Sequence, residues 1–117
     1  MKVQDLVRIL DAKVLTGEDR MDTEVHSACG ADMMSDVLAF VKEQAVLLTG
    51  LTNPQVVRTA EMMDMRCVVF VRGKQPPEAV VELAREHEMI LLQTQRRMFT
   101  ACGMLYEAGL RGEEGNR

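Results

Sequence analysis

The chain has little with which to grip a nucleobase: among 117 residues there is no Trp, one Tyr and three Phe. Single strands are held largely by stacking on aromatic side chains, so that mode of recognition is not expected. A basic excess is missing as well. Lys and Arg number 14 against 18 Asp and Glu, a formal net charge of −4, whereas a duplex-binding module normally carries a basic face. Nucleic acid is therefore not an expected partner. No apolar run approaches the ~18 residues that a membrane-spanning helix needs, so no membrane partner is expected either. Met1-Lys2 leads into Val3, Leu6, Val7 and Leu10, an amphipathic spacing rather than the continuous apolar block of a signal peptide. Cysteine is scarce and odd in number: Cys29, Cys67 and Cys102 lie far apart, with no C-x-x-C pair. A structural zinc site wants four Cys/His ligands at short local spacing, and only His26 near Cys29 hints at one. No metal and no cofactor are expected; buried, reduced thiols in a cytoplasmic protein are.

What is present suits one compact domain. A hydrophobic share of 47% beside a charged share of 27% argues against disorder, and a chain of this size buries a core without staples. Residues 1–110 read as a single domain and 111–117 as a Gly- and charge-rich tail that frays. Along the domain, helical and strand patterns alternate. Residues 2–10 read as a helix with Val3, Leu6, Val7 and Leu10 on one face. Ala12–Leu15 and Val25–Cys29 read as strands separated by the polar turn Thr16–Arg20. Ser35–Lys42 returns to helical spacing, with Val37, Leu38 and Val41 inward. Ala45–Leu48 and Cys67–Val71 are continuous apolar runs, as in strands covered on both faces. Between them, Thr52-Asn53-Pro54-Gln55 offers a cap, a first-turn proline and a Gln55 placed to close a capping box on Thr52. Pro76 and Pro77 open a further helix that buries Ala79, Val80, Leu83 and Ala84. Met89–Leu92 is the last strand, and Thr94 is placed to cap a last helix that buries Met98, Cys102 and Leu105, with Phe99 and Tyr106 alongside. Strand–helix units in series with short connections imply βαβ crossovers, a mainly parallel sheet and an α/β fold.

In such a sheet, ligands bind beyond the carboxyl ends of the strands. Those ends carry Gly30 and Asp32; Gly50, Thr52 and Asn53; Arg72, Gly73 and Lys74; and Thr94. Two glycines that admit a ligand to the backbone, beside two cations, suit a small anion or a nucleotide fragment. Each residue also has a plain structural use: Gly50 and Gly73 in turns, Thr52 or Asn53 as a helix cap, Arg72 and Lys74 as solvated charges. Catalysis finds no footing. Neither His26 nor His87 has a nucleophile beside it; His87 falls on the inner side of its helix, near the end, and packs there. The P-loop needs G-x-x-x-x-G-K-[ST], but Gly73-Lys74 is followed by Gln75 and lacks the upstream Gly. Thr49 stands where a phospho-receiver domain carries its acceptor Asp, and G-x-G-x-x-G is absent. Ten methionines, among them Met33-Met34 and Met62-Met63 at helix ends, serve either the core or a contact surface. Met62, off the inward stripe, is expected on the outer face.

Three segments carry a resemblance: Leu47–Pro54, Val69–Glu78 and Val81–Thr94. Their order (strand, R-G, P-P-E, a helix with L-A, an apolar strand ending in T) resembles the DRTGG domain family and the related N-terminal domain of bacterial HPr kinase/phosphorylase. It spans about residues 2–110 and is most specific after Arg66. The name-giving elements are degenerate: Thr52-Asn53 stands near the place of D-R, and Val71-Arg72-Gly73 takes that of T-G-G. The resemblance implies a three-layer, Rossmann-like α/β domain of regulatory or ligand-sensing type, without the kinase's P-loop. The expectation is a non-catalytic module that binds a small anionic or nucleotide-like ligand through Gly30, Asp32, Gly50, Thr52, Asn53, Arg72, Gly73 and Thr94, and forms a homodimer. The alternative is an interaction subunit that docks on a separate enzyme and has no ligand of its own.

Overall fold

In a computed structural model, which describes residues 1–40 and 44–112, the apolar runs of the sequence form the centre of one sheet. Its parallel strands are β2 (Ser27–Gly30), β3 (Ala45–Thr49), β4 (Cys67–Phe70) and β5 (Ile90–Gln93), and β1 (Lys13–Thr16) joins β5 antiparallel at the edge. The order across the five-stranded sheet is β1-β5-β4-β3-β2. Every residue of β3, β4 and β5 is buried, which explains their continuous apolar sequences: both faces are covered.

Alternation along the strands divides the core in two. Val46, Leu48, Val69 and Leu92 pack against Val3, Leu6 and Leu10 of α1 (Val3–Leu10) and Ala101 and Leu105 of α5 (Met98–Glu107). Leu47, Val68, Phe70 and Leu91 face the other way, onto α2 (Met34–Phe40), α3 (Pro54–Met62) and α4 (Glu78–Glu86) through Val37, Val56, Val57, Ala60, Val80 and Ala84. The result is the expected three-layer α/β fold.

Several local expectations change. Thr16 is the buried end of β1 rather than part of a turn. Asn53, not Thr52, caps α3: its Oδ1 accepts the Gln55 N–H at 3.0 Å, while Gln55 Nε2 donates to Thr59 Oγ1 and closes no box. Leu38 and Ala79 are exposed, and Met98 and Cys102 are half-buried, because α2, α4 and α5 each seat a narrower face than the spacing suggested. His87 is the exposed C-cap of α4, paired with Glu61 of α3, rather than an inward group. Val41 and Lys42, read as the end of α2, lie outside the described residues, as do 113–117 of the expected tail. Arg111, at the start of that stretch, accepts the Ala28 N–H on its carbonyl at 3.0 Å and so extends the pairing of β2.

Candidate functional site

The winding of the chain decides where a crevice can open. From β2 to β5 each strand lies beside the one before it, and the crossover helices α2, α3 and α4 all cover one face. After β5 the chain leaves instead for the opposite face, in α5. The loops after β4 and β5 therefore diverge, which makes β4/β5 the topological switch point at which ligands of open α/β sheets bind. The switch point lies one strand along from the expected centre between Gly50 and Gly73.

The β4–α4 loop begins with a tight turn. Lys74 N–H donates to Val71 O at 3.2 Å, and the two central residues, Arg72 and Gly73, have φ of +61° and +66°. Both values belong to a type I′ turn, in which glycine is at ease and arginine is not. The turn is tied to the neighbouring loop: Arg72 N–H donates to Arg96 O at 2.8 Å and Gly73 N–H to Thr94 O at 2.9 Å. Gln93, buried at the end of β5, donates from Nε2 to Gly73 O and Lys74 O and to Gln75 Oε1. A Cβ on Gly73 would stand 2.5 Å from Gln95 Oε1, so a larger residue would have to displace the Gln95 side chain as well as bear the positive φ.

That framework presents cations. Arg72, Lys74, Gln95 and Arg97 line an open cleft of about 620 Å³. Gln95 and Arg97 also border a second cleft, of about 380 Å³, together with Asp11, Thr94, Arg96 and Thr100. Arg72, Lys74, Arg96 and Arg97 are all exposed, and none of them forms an ion pair among the described residues. Arg97 is also the N-cap residue of α5 and supplies no side-chain cap, so the amides of that first turn add positive potential.

The remaining expected residues divide. Gly50 adjoins Arg72, and Asp32 holds the Gly50 loop: its Oδ1 accepts the Gly50 N–H at 2.7 Å and the Thr49 hydroxyl at 3.1 Å, while Thr49 Oγ1 accepts the Leu51 N–H. The β3–α3 loop thus satisfies its own donors, and the expected opening to the Gly50 amide is closed. Gly50 has a different use: a Cβ there would meet Arg72 Nη2 at 2.7 Å, so its bareness lets the guanidinium lie across the loop. Asn53 is committed to its capping bond, and Thr52 is only part-exposed beside it. Gly30 is packing: a Cβ would stand 2.8 Å from Cys102 Sγ. Thr94 is no cap for α5. It is buried, donating its hydroxyl to Leu10 O at 2.8 Å and accepting the Arg96 N–H. Sequence reasoning passed over Gln95, Arg96 and Arg97. Their signal was adjacent charge directly after a buried strand in an acidic chain.

The arrangement is suited to holding charge. Burial pushes the Cys29 thiol up, with Cys102 and Asp36 nearby adding to the effect, and burial alone raises Cys67 and Cys102. None of the three is an activated nucleophile. No group of three His, Cys, Asp or Glu gathers among the described residues to hold a metal ion.

A three-layer, mainly parallel α/β domain with a cation-lined crevice at its switch point is the class of protein that fold and site define. The chain belongs to the DRTGG domain family, whose sequence model matches residues 5–108. A similar solved structure is that of the CBS and DRTGG domains of the regulatory region of Clostridium perfringens pyrophosphatase, complexed with its activator, diadenosine tetraphosphate. The TM-score is 0.71 at 17% identity, over 89% of this chain and 45% of that one. The chain thus spans less than half of that structure, and the likeness is one of fold. No curated protein sequence matches the chain.

Proposed function

We propose that the chain is a non-catalytic regulatory module that binds a small polyanion, nucleotide-like and held chiefly through phosphates, in the β4–β5 crevice. One observation carries the reading: four cations without an ion pair among the described residues, Arg72, Lys74, Arg96 and Arg97, gather at the carboxyl end of two strands in a chain of net charge −4. The C. perfringens pyrophosphatase region, with its nucleotide activator, supports it as a structure of like fold. Within the reading, Arg72, Lys74, Gln95 and Arg97 touch the ligand, and Asp32, Gly50 and Gly73 position Arg72. The module spans residues 1–110 with 111–117 as its tail, works in the cytoplasm as a homodimer, modulates a separate enzyme and is kin to the N-terminal domain of HPr kinase/phosphorylase. Titration calorimetry with inorganic tripolyphosphate, ATP and a dinucleoside polyphosphate tests the site. Binding that is lost in the Arg72→Ala/Arg97→Ala pair, with the melting temperature kept, supports it. No binding by any of the three to the wild-type chain overturns it.

A second reading, an interaction subunit without a ligand, is favoured by Met33 and Met62, exposed to 63% and 71%. Its test is co-purification of a partner enzyme that Met62→Asp and Met33→Asp release.

A further inference from the structure

Two of the chain's four aromatic side chains stand outside the core on one helix. Phe99 is 90% exposed and Tyr106 60% exposed, and both belong to α5 (Met98–Glu107). At 100° per residue, Phe99, Gly103 and Tyr106 fall within about 60° of one another, opposite the buried Ala101 and Leu105. Gly103 lies midway between the aromatics, and a Cβ there would meet nothing within 4 Å. Packing within the protomer therefore does not ask for glycine at this position. Glu107, the last residue of the helix, falls about 40° from Gly103 on the same side.

We propose that this face is the interface of a homodimer, with α5 packed antiparallel on α5 of a second copy and the two-fold axis passing beside Gly103. The face is complementary to itself under that operation, as an isologous contact must be. Phe99 of one protomer meets the partner's Tyr106, and bare Gly103 backbones let the helices approach. Glu107 comes opposite the partner helix's N-terminus, which carries no side-chain cap, and the helix dipoles oppose. Arg111 covers one side of Tyr106, so the partner's Phe99 meets the ring from its exposed side. The Arg111 guanidinium is folded back over its own Tyr106 ring, 3.9 Å from the centroid, and donates to Tyr106 O and Leu110 O. A helix about 15 Å long buries less than the ~800 Å² per partner of a standard interface, so the dimer is a concentration-dependent one. This inference rests on the homodimer reading above and names its surface. It does not depend on the anion site.

Sedimentation velocity across about 1 to 500 µM chain gives the first readout, on wild type, Phe99→Glu and Gly103→Arg. The expected result is a wild-type dimer whose dissociation constant rises about tenfold or more in each variant. The melting temperature of dilute Gly103→Arg does not fall, because that position is open and gains helix propensity. A second readout is Gly103→Cys under mild oxidation. Near the axis it forms an intermolecular disulfide that the wild type, with Cys102 alone on this helix, does not form, and adding Phe99→Glu abolishes it. A wild-type chain that stays monomeric overturns both the surface and the homodimer reading. A wild-type dimer that persists unchanged in both variants overturns the surface alone.

Discussion

Arg72 sits in a backbone conformation that its own Cβ opposes. At φ +61° a non-glycine residue gives up about 1–2 kcal/mol, and a glycine would keep the turn and its backbone bond to Arg96 without that cost. Strain of that kind beside a crevice fits a side chain kept for what it binds. We therefore expect Arg72→Gly to raise thermal stability by about 1 kcal/mol while weakening anion binding. The pair of measurements is a melting curve and a titration with tripolyphosphate; a variant that is destabilised would remove the strain argument. Gly50→Ala separates packing from binding in a complementary way. Its new methyl meets only the far end of Arg72, at 2.7 Å, so stability should change by less than about 0.5 kcal/mol, whereas affinity falls because the guanidinium is pushed off the loop. At this scale the sequence is least readable. The buried hydroxyls of Thr16 and Thr94 find their partners at Met89 and Leu10, positions far away in the chain, so local spacing assigned one to a turn and the other to a cap.

The elements were more legible, for a reason visible in β3 and β4. A continuous apolar run flanked by turn residues has few alternatives once both faces are covered. Edges behave differently. β1 carries an irregularity between Val14 and Thr16, and where its backbone ladder lapses, Thr16 Oγ1 accepts the Leu91 N–H at 2.9 Å and donates to Met89 O at 2.6 Å. Thr16→Val keeps the shape and leaves two buried groups unpaired, so we expect a loss of about 2–4 kcal/mol, measured by urea unfolding; a loss below about 0.5 kcal/mol would show that the edge repairs itself. Helix α1 offers a pH-dependent case. Asp5 accepts the Lys2 N–H at 2.9 Å and the Arg8 guanidinium at 3.2 Å, the first being the larger cause that lowers its pKa. A carboxyl depressed in the folded state stabilises fully above its ordinary value near 3.8 and stops doing so as pH falls through the lower, folded value. Wild type should therefore melt above Asp5→Asn at neutral pH, and the two curves should converge as pH falls below that lowered value. The spacing read α1 correctly because its apolar face is narrow. It misread α5 because apolar residues surround that helix, and period alone cannot say which of them a neighbour covers.

Strand order is a property of the whole molecule and cannot be read from any segment. Local patterns placed Gly50, Arg72, Gly73 and Thr94 at the carboxyl edge, which is correct. They could not reveal that three crossovers cover one face and the departure after β5 reaches the other, and that reversal is what opens the crevice beside Arg97. The distribution of charge has the same global character. Eighteen acidic groups against 14 basic ones give −4 overall, so most of the surface repels a polyanion while Arg72, Lys74, Arg96 and Arg97 attract it. A site formed by exposed cations is screened by salt, because the Debye length shrinks from about 8 Å at 0.15 M to about 3 Å at 1 M. Tripolyphosphate affinity should therefore fall steeply across that range. The slope of log affinity against log salt should be shallower in Arg97→Ala than in wild type, because one fewer cation contributes. Lys13→Ala, on β1, serves as the control and should leave the slope unchanged. Affinity that is flat with salt would place the ligand in an apolar contact elsewhere. A slope that moves equally in both variants would mean that net charge, rather than this crevice, attracts the anion.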